Sequence, residues 1–204
     1  MMPRPVGFDL DLTLIDSRAS ILESFRAVAN STGVSLDLDE IESRMGLKLE
    51  DELAHWFDAP QIAGVAALYR RHYVDIAPTS SAAMPGAHES LLAVKESGAE
   101  TVIITAKHES AVGLCLAATG LFADQVFSLA HGPEKAVILR RIGASLYVGD
   151  TPADVRAASD ASVTAVGVPT GSFDAAALAD AGAEVILESL TDFPAWYMGF
   201  HADV

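Results

Sequence analysis

The chain has 204 residues, half of them hydrophobic, which suits one domain with an insertion or two small lobes and excludes an extended disordered protein. A formal charge of −15 argues against nucleic acid or an anionic membrane as a main partner, and a phosphate-bearing ligand would have to be drawn in by local cations or metal. One cysteine excludes an internal disulfide framework and a cysteine-rich zinc site.

The first element is an apolar run, Val6-Gly7-Phe8, that leads into Asp9 and Asp11. In an extended chain positions i and i+2 share a side, so the two carboxylates are expected to project together from a strand end. Like charges that close repel unless a cation, a proton or an electrophile shares the site. Mg²⁺ would suit, being hard, oxygen-seeking and able to bridge carboxylates to a phosphate. Asp9 would then be placed to attack phosphorus, forming an aspartyl-phosphate. Asp11 would protonate the leaving oxygen and afterwards activate water. An acidic loop capping the next helix would use the same residues.

After Ser17, a candidate cap, the period changes to that of a helix from Arg18 to about Asn30, closed by Gly33. Helical stretches follow at Asp39 to Met45, Leu49 to Phe57 and Ala59 to about Ile76, with no strand signal among them. The small, polar, Pro-bearing stretch 77–86 reads as a connector. Residues 17–82 are therefore expected to form a helical insertion, and 1–16 with 83–204 an α/β core.

From Ala87 the chain alternates. Helices are expected at Ala87–Ser97, Glu109–Thr119, Pro133–Ile142, Ala153–Ser159 and Phe173–Ala181. Strands are expected at Thr101–Ile104, Gln125–Leu129, Leu146–Val148, Val163–Val166 and Glu184–Leu187. Nearly continuous apolar strands between helices predict a doubly wound parallel sheet covered on both faces. After Arg156 there is no Lys or Arg, so the C-terminal segment is expected to complete the sheet rather than to bind phosphate.

Ligands of such sheets bind beyond the carboxyl ends of the strands. After Ile104 come Thr105, Ala106 and Lys107: a hydroxyl able to hold a phosphoryl oxygen, and a lysine that is either solvated or a phosphate contact. Pro133 suits the first helical position and puts Lys135 in the first turn, where a cation opposes the helix dipole by about 0.3–1 kcal/mol. A nearby anion would explain it. Gly149-Asp150-Thr151-Pro152-Ala153-Asp154 comes after the next strand and offers two acids about a turn apart, which could also be ordinary helix N-terminal residues. Cys115 sits in an apolar segment as a buried, inert thiol. The six histidines form no metal-ligand pattern; His108 and His131 lie in loops near the expected active face, and His55 in the helical insertion.

Asp9-Leu10-Asp11-Leu12-Thr13 resembles the first motif of the haloacid dehalogenase-like superfamily, whose phosphatases read Asp-x-Asp-x-Thr. Leu12 departs from the small residue, often Gly, that is more usual there. The second Asp belongs to the phosphoryl-transfer branches, so carbon–halogen chemistry is disfavoured. Thr105, Lys135 and Gly149-Asp150-x-x-x-Asp154 resemble the second, third and fourth motifs, in the superfamily's order. The resemblance, closest to the phosphoglycolate phosphatase-like group, implies a Rossmann-like core with a helical cap. It implies a Mg²⁺-dependent phosphatase acting on a small phosphorylated metabolite. Asp9, Asp11, Thr105 and Lys135 would be catalytic, and Asp9, Asp11 and Asp150 would hold the metal. Asp154 would orient water or Lys135 from behind it. Substrate contacts would come from Thr13, Ala106 and Lys107. Arg44 and Lys48 would join them, because they flank a Gly46 turn that resembles the family's substrate-specificity loop. A phosphomutase shares every catalytic residue; loss of a catalytic acid would support a silent binding or regulatory module, and none is lost. No membrane-length apolar run and no secretory pattern place the expected enzyme in the cytoplasm, as a monomer or homodimer.

Overall fold

The computed structural model describes residues 3–202. In chain order the first elements are β1 (Val6–Phe8), β2 (Ile15–Asp16), α1 (Arg18–Thr32), α2 (Leu38–Ser43), α3 (Leu49–Leu53), α4 (Ala59–Ser80) and β3 (Ala82–Ala83). Next come α5 (Ala87–Glu96), β4 (Thr101–Ile104), α6 (Glu109–Thr119), β5 (Gln125–Phe127), α7 (Pro133–Ile142) and β6 (Leu146–Gly149). The last are α8 (Pro152–Ala161), β7 (Thr164–Gly167), α9 (Ala175–Asp180), β8 (Val185–Ile186) and α10 (Phe193–Ala202). No helix among the described residues is long and apolar enough to cross a membrane.

Six strands form a parallel sheet in the order β5-β4-β1-β6-β7-β8. The chain starts in the middle, builds outwards to β5, then returns to the other side of β1. That reversal opens a crevice at the carboxyl ends of β4, β1 and β6. The strands are apolar on both faces because helices cover both. Phe8, Ile103 and Val148 belong to one core, and Val102, Ile104 and Tyr147 to the other. Gly7 is required on the second face: a Cβ there would stand 2.8 Å from the Tyr147 ring. The expected doubly wound α/β core is what the chain forms.

The helical excursion leaves through β2 and returns through β3, which pair antiparallel with Ile15 opposite Ala83 and Asp16 opposite Ala82. Within it, α1 and α4 lie against each other, with Phe25, Val28, Tyr69 and Tyr73 buried.

Several sequence expectations change. The 77–86 stretch is not all connector: α4 runs past Pro78 to Ser80, and Ala82–Ala83 is a strand. Ala77 is fully buried and accepts from the Ser81 amide, so packing carries the helix through its proline. The α2 and α3 helices are shorter than periodicity suggests, because residues 44–48 and 54–58 turn instead. Ser17 stands at the start of α1 without capping it; its hydroxyl is buried with no hydrogen-bond partner, and Asp16 Oδ1 accepts from the Arg18 amide. The C-terminal segment does more than complete the sheet. After β8 it forms α10, which packs on α5 and buries Phe193 and Tyr197. The continuous apolar run there carries no helical spacing to read.

Candidate active site

The expected extension of β1 through Asp11 does not occur. The strand ends at Phe8, and the amides of Leu14 and Ile15 both donate to the Leu10 carbonyl, closing a tight loop. Leu12, buried, sits in this loop at φ +60°, the left-handed region that glycine occupies without strain. The turn sends Asp9 and Asp11 to different partners.

Asp9 lies at the sheet's centre, its amide donating to the Val148 carbonyl. Lys135 comes from the first turn of α7 and donates to Asp9 Oδ1 (2.5 Å) and Asp154 Oδ1 (2.6 Å). The unfavourable placement of Lys135 at a helix N-terminus is thus explained by two buried carboxylates. Asp154 is held further by the Thr151 amide and hydroxyl, which donate to its Oδ2 in a capping box at the start of α8. Asp150 points into the same space, with Thr13 Oγ1 donating to its Oδ1 at 3.1 Å. Oxygens of Asp9, Asp150 and Asp154 all lie within 4.8 Å of one another.

Three buried carboxylates face one ammonium. Burial, opposed by Lys135, pushes the Asp9 carboxyl from its ordinary 3.8 up to about 7. Burial first, then Asp9 and Asp154, raise Asp150 well above the carboxylate range. Lys135 is held charged against its burial by Asp154 and Asp9. Such a hollow of hard oxygen donors with surplus negative charge fits a divalent cation.

Two glycines make room for these acids. A Cβ at Gly149 would stand 2.4 Å from Asp154 Cβ, and one at Gly171 would stand 1.9 Å from Asp150 Oδ2. Gly171 lies beyond β7, and its only sequence signal is a Gly past a strand end.

Asp11 lies outside this cluster of oxygens, with Lys107 Nζ 2.8 Å from its Oδ1. Lys107 is not solvated: its side chain is 7 % exposed, and it donates to the Tyr73 hydroxyl at 2.7 Å while lying over that ring. Asp11 and Tyr73 hold its ammonium far above the ordinary lysine range despite burial, and burial pushes the Tyr73 hydroxyl up to about 12. Tyr73, from α4, is a contact that sequence reasoning missed; in sequence it is one aromatic among several on a helix. Thr105 is buried, its Oγ1 accepting from the Lys107 amide at 3.1 Å. Asp9, Asp11, Thr105, Ala106, Lys135, Asp150 and Asp154 line one hollow of about 120 Å³.

Arg44 and Lys48 stand on the wall of a second, larger cavity. Arg44 is already engaged: its guanidinium donates to both Glu52 oxygens at 2.9 Å, and to Glu40. Lys48 is half-exposed, 3.9 Å from Glu134. His131 Nε2 lies 3.2 Å from the Gly46 carbonyl and joins the Gly46 turn to the core; His108 Nδ1 bonds Ser110. Cys115 is buried and free.

Comparison with known proteins agrees with this geometry. The family model described as haloacid dehalogenase-like hydrolase matches residues 6–168. The chain is 27 % identical to a probable phosphatase, IndB, of Dickeya dadantii, over 92 % of this chain and 90 % of that protein. It is 26 % identical to a plasmid-borne phosphoglycolate phosphatase of Cupriavidus necator, over 93 % and 91 %. Among solved structures, a haloacid dehalogenase-like family hydrolase from Streptococcus pneumoniae superposes with a TM-score of 0.84 at 22 % identity, covering 95 % of this chain and 98 % of that one. CbbY from Rhodobacter sphaeroides, solved in complex with phosphate, gives 0.80 at 18 % identity, covering 94 % and 96 %. With its motifs gathered at one crevice and four-fifths of its length matched, the chain belongs to the haloacid dehalogenase-like hydrolase family.

Proposed function

We propose that the protein is a Mg²⁺-dependent phosphatase of the phosphoglycolate phosphatase-like group, hydrolysing a small phosphorylated metabolite through a phosphorylated Asp9. The observation that carries this reading is the surplus of buried carboxylate at Asp9, Asp150 and Asp154 beside one lysine, at the crevice where the strand order reverses. Asp9 and Asp150 would hold the ion, because both oxygens of Asp154 are already taken by Lys135 and Thr151. When bound, Mg²⁺ neutralises the transferring phosphoryl oxygens and lets Asp9 remain ionised. Asp11, which lines the same hollow beside Lys107, is the third expected ligand and serves proton transfer.

Asp9 attacks phosphorus with one carboxylate oxygen, and the ester oxygen departs with a proton from Asp11. The carboxylate of Asp11 next takes a proton from water, whose oxygen displaces Asp9 and releases inorganic phosphate. Lys135 and the Thr105 hydroxyl hold the phosphoryl oxygens, and Thr13 keeps Asp150 in place. Asp154 acts by positioning Lys135. The 17–82 helices form the cap over the core of 1–16 and 83–204, and excluding water from this hollow strengthens every charge interaction in it.

Phosphate release from p-nitrophenyl phosphate, with acid-quench trapping of phosphoprotein, tests these roles. Asp9→Asn should release no phosphate and trap nothing while its circular dichroism matches wild type. Asp11→Asn should slow turnover by about 10²–10⁴-fold and accumulate phosphoprotein on this activated ester, whose leaving group needs no proton. Near-wild-type turnover by Asp9→Asn overturns the mechanism.

A further inference from the structure

Beside the carboxylate hollow lies a second cavity of about 350 Å³, and the two share the Asp11–Ala106 edge and the Met45–Leu47 turn. The smaller hollow is about a third the size of the larger, which adjoins it and offers the space for whatever carries the phosphoryl group.

Its inner wall is apolar: Phe25, Ile41, Met45, Tyr69 and Tyr73 all present buried side chains to it. At its edge stand Leu47 and Leu129, 46 % and 56 % exposed. Leu129 holds a left-handed backbone, φ +59°, an uncommon conformation for a branched residue. Both stand at the rim of this cavity, where an apolar ligand would cover them.

Three of the cations in the wall are paired with acids of the same wall. Arg44 is bound to Glu52, Arg70 to Glu50 and Lys107 to Asp11, and all six line this cavity. Lys48, on the same wall, lies 3.9 Å from the exposed Glu134, and His131 is bonded to the Gly46 carbonyl. A ligand carboxylate or second phosphate that reached Arg44 or Lys107 would have to break a mostly buried pair and would then face the acid left behind.

Resting on the phosphatase reading above, we infer that the substrate is a phosphomonoester of an uncharged, mainly apolar alcohol or phenol, whose body packs against Phe25 and Tyr69 beneath Leu47 and Leu129. Phosphate release is measured for the n-alkyl phosphates from ethyl to hexyl and for 2-phosphoglycolate. Alongside it, binding of the matching alkylphosphonates and of phosphonoacetate to the Mg²⁺-loaded protein is measured by calorimetry. kcat/KM should rise about fourfold per added CH₂, the equivalent of about 0.8 kcal/mol, and hexyl phosphate should exceed 2-phosphoglycolate. Leu47→Asp and Leu129→Asp should flatten that slope. A flat or falling series, or preference for 2-phosphoglycolate, overturns the inference while phosphatase activity stands. Conversely, no phosphate release from any ester, with phosphonate affinity still climbing with chain length, removes the activity and keeps the apolar preference. No release and no climb in affinity removes both.

Discussion

The acids of the site owe their positions to residues that carry no charge. Asp150 is aimed by Thr13 and passes so close to Gly171 that a methyl group there would overlap its Oδ2. Gly171→Ala should displace Asp150, weakening Mg²⁺ binding and turnover by about 10–100-fold, as loss of supporting contacts does in metal sites. Metal titration with a circular-dichroism control checks this, and unchanged Mg²⁺ affinity would show that Asp150 has room to shift. Asp9 makes a pH-dependent prediction. Its carboxyl, at about 7 when folded against an ordinary 3.8, keeps its proton in the folded state after the unfolded chain has lost it. Between about pH 4 and 7 the folded state therefore binds more protons, and stability falls as pH rises. Metal-free wild type should lose stability relative to Asp9→Asn across that window, and Mg²⁺ should restore most of it above pH 7. Urea denaturation at several pH values, with and without metal, measures both effects.

At the scale of elements, the Gly46 turn is fastened to its surroundings at several points. Arg44, from the end of α2, grips Glu52 of α3, whose carboxylate also accepts from the Trp56 indole. Ser172 donates to the Glu42 carbonyl, and Arg18 links Glu42 to the Thr170 carbonyl. The turn is therefore set against the α/β core before any substrate arrives. Arg44→Ala should leave Glu52 buried without its cation, lower the melting temperature, and worsen kcat and KM together on every ester. Lys48→Ala should move the melting temperature by no more than about 2 °C, as surface changes do in a protein of this size. Its KM on esters of uncharged alcohols should change by less than about twofold, because the ion pair it loses, with Glu134, is exposed. A melting curve and a kinetic series on the two variants separate the roles. Equal, small effects from both would place Arg44 in solvent's influence after all.

For the whole molecule, the last helix links stability to the site. Phe193 of α10 is fully buried, with its ring centroid 5.3 Å from those of both Phe8 and Tyr197. Phe8 is the residue before Asp9, so the same packing that holds α10 in place supports the strand end that carries the nucleophile. Phe193→Ala should cost about 3–5 kcal/mol of unfolding free energy, read by urea denaturation. A loss below 1 kcal/mol would make α10 a peripheral addition.

Sequence alone determined the alternation of elements and the identity of the chemical groups. Strands β4 and β6, helices α6 and α7, and the acids, hydroxyl and lysine at their ends are local features, fixed by periodicity, by Gly and Pro, and by the residues just past each apolar run. The misplaced charge of Lys135 was legible for the same reason, since a helix dipole is a local field. Tertiary structure decided everything that depends on what lies opposite. Asp9 and Asp11 are two residues apart in sequence, yet a left-handed Leu12 sends one to Lys135 and the other to Lys107. Whether Arg44 was free or engaged, and whether Lys107 was solvated or buried beneath Tyr73, depended on neighbours brought from 8 and 34 residues away. Ser17 had the right residue type for a cap but a buried, unpaired hydroxyl, and α10 formed where no periodicity announced it. For Lys107 and α10, packing against residues brought from elsewhere in the chain, rather than local propensity, chose the outcome.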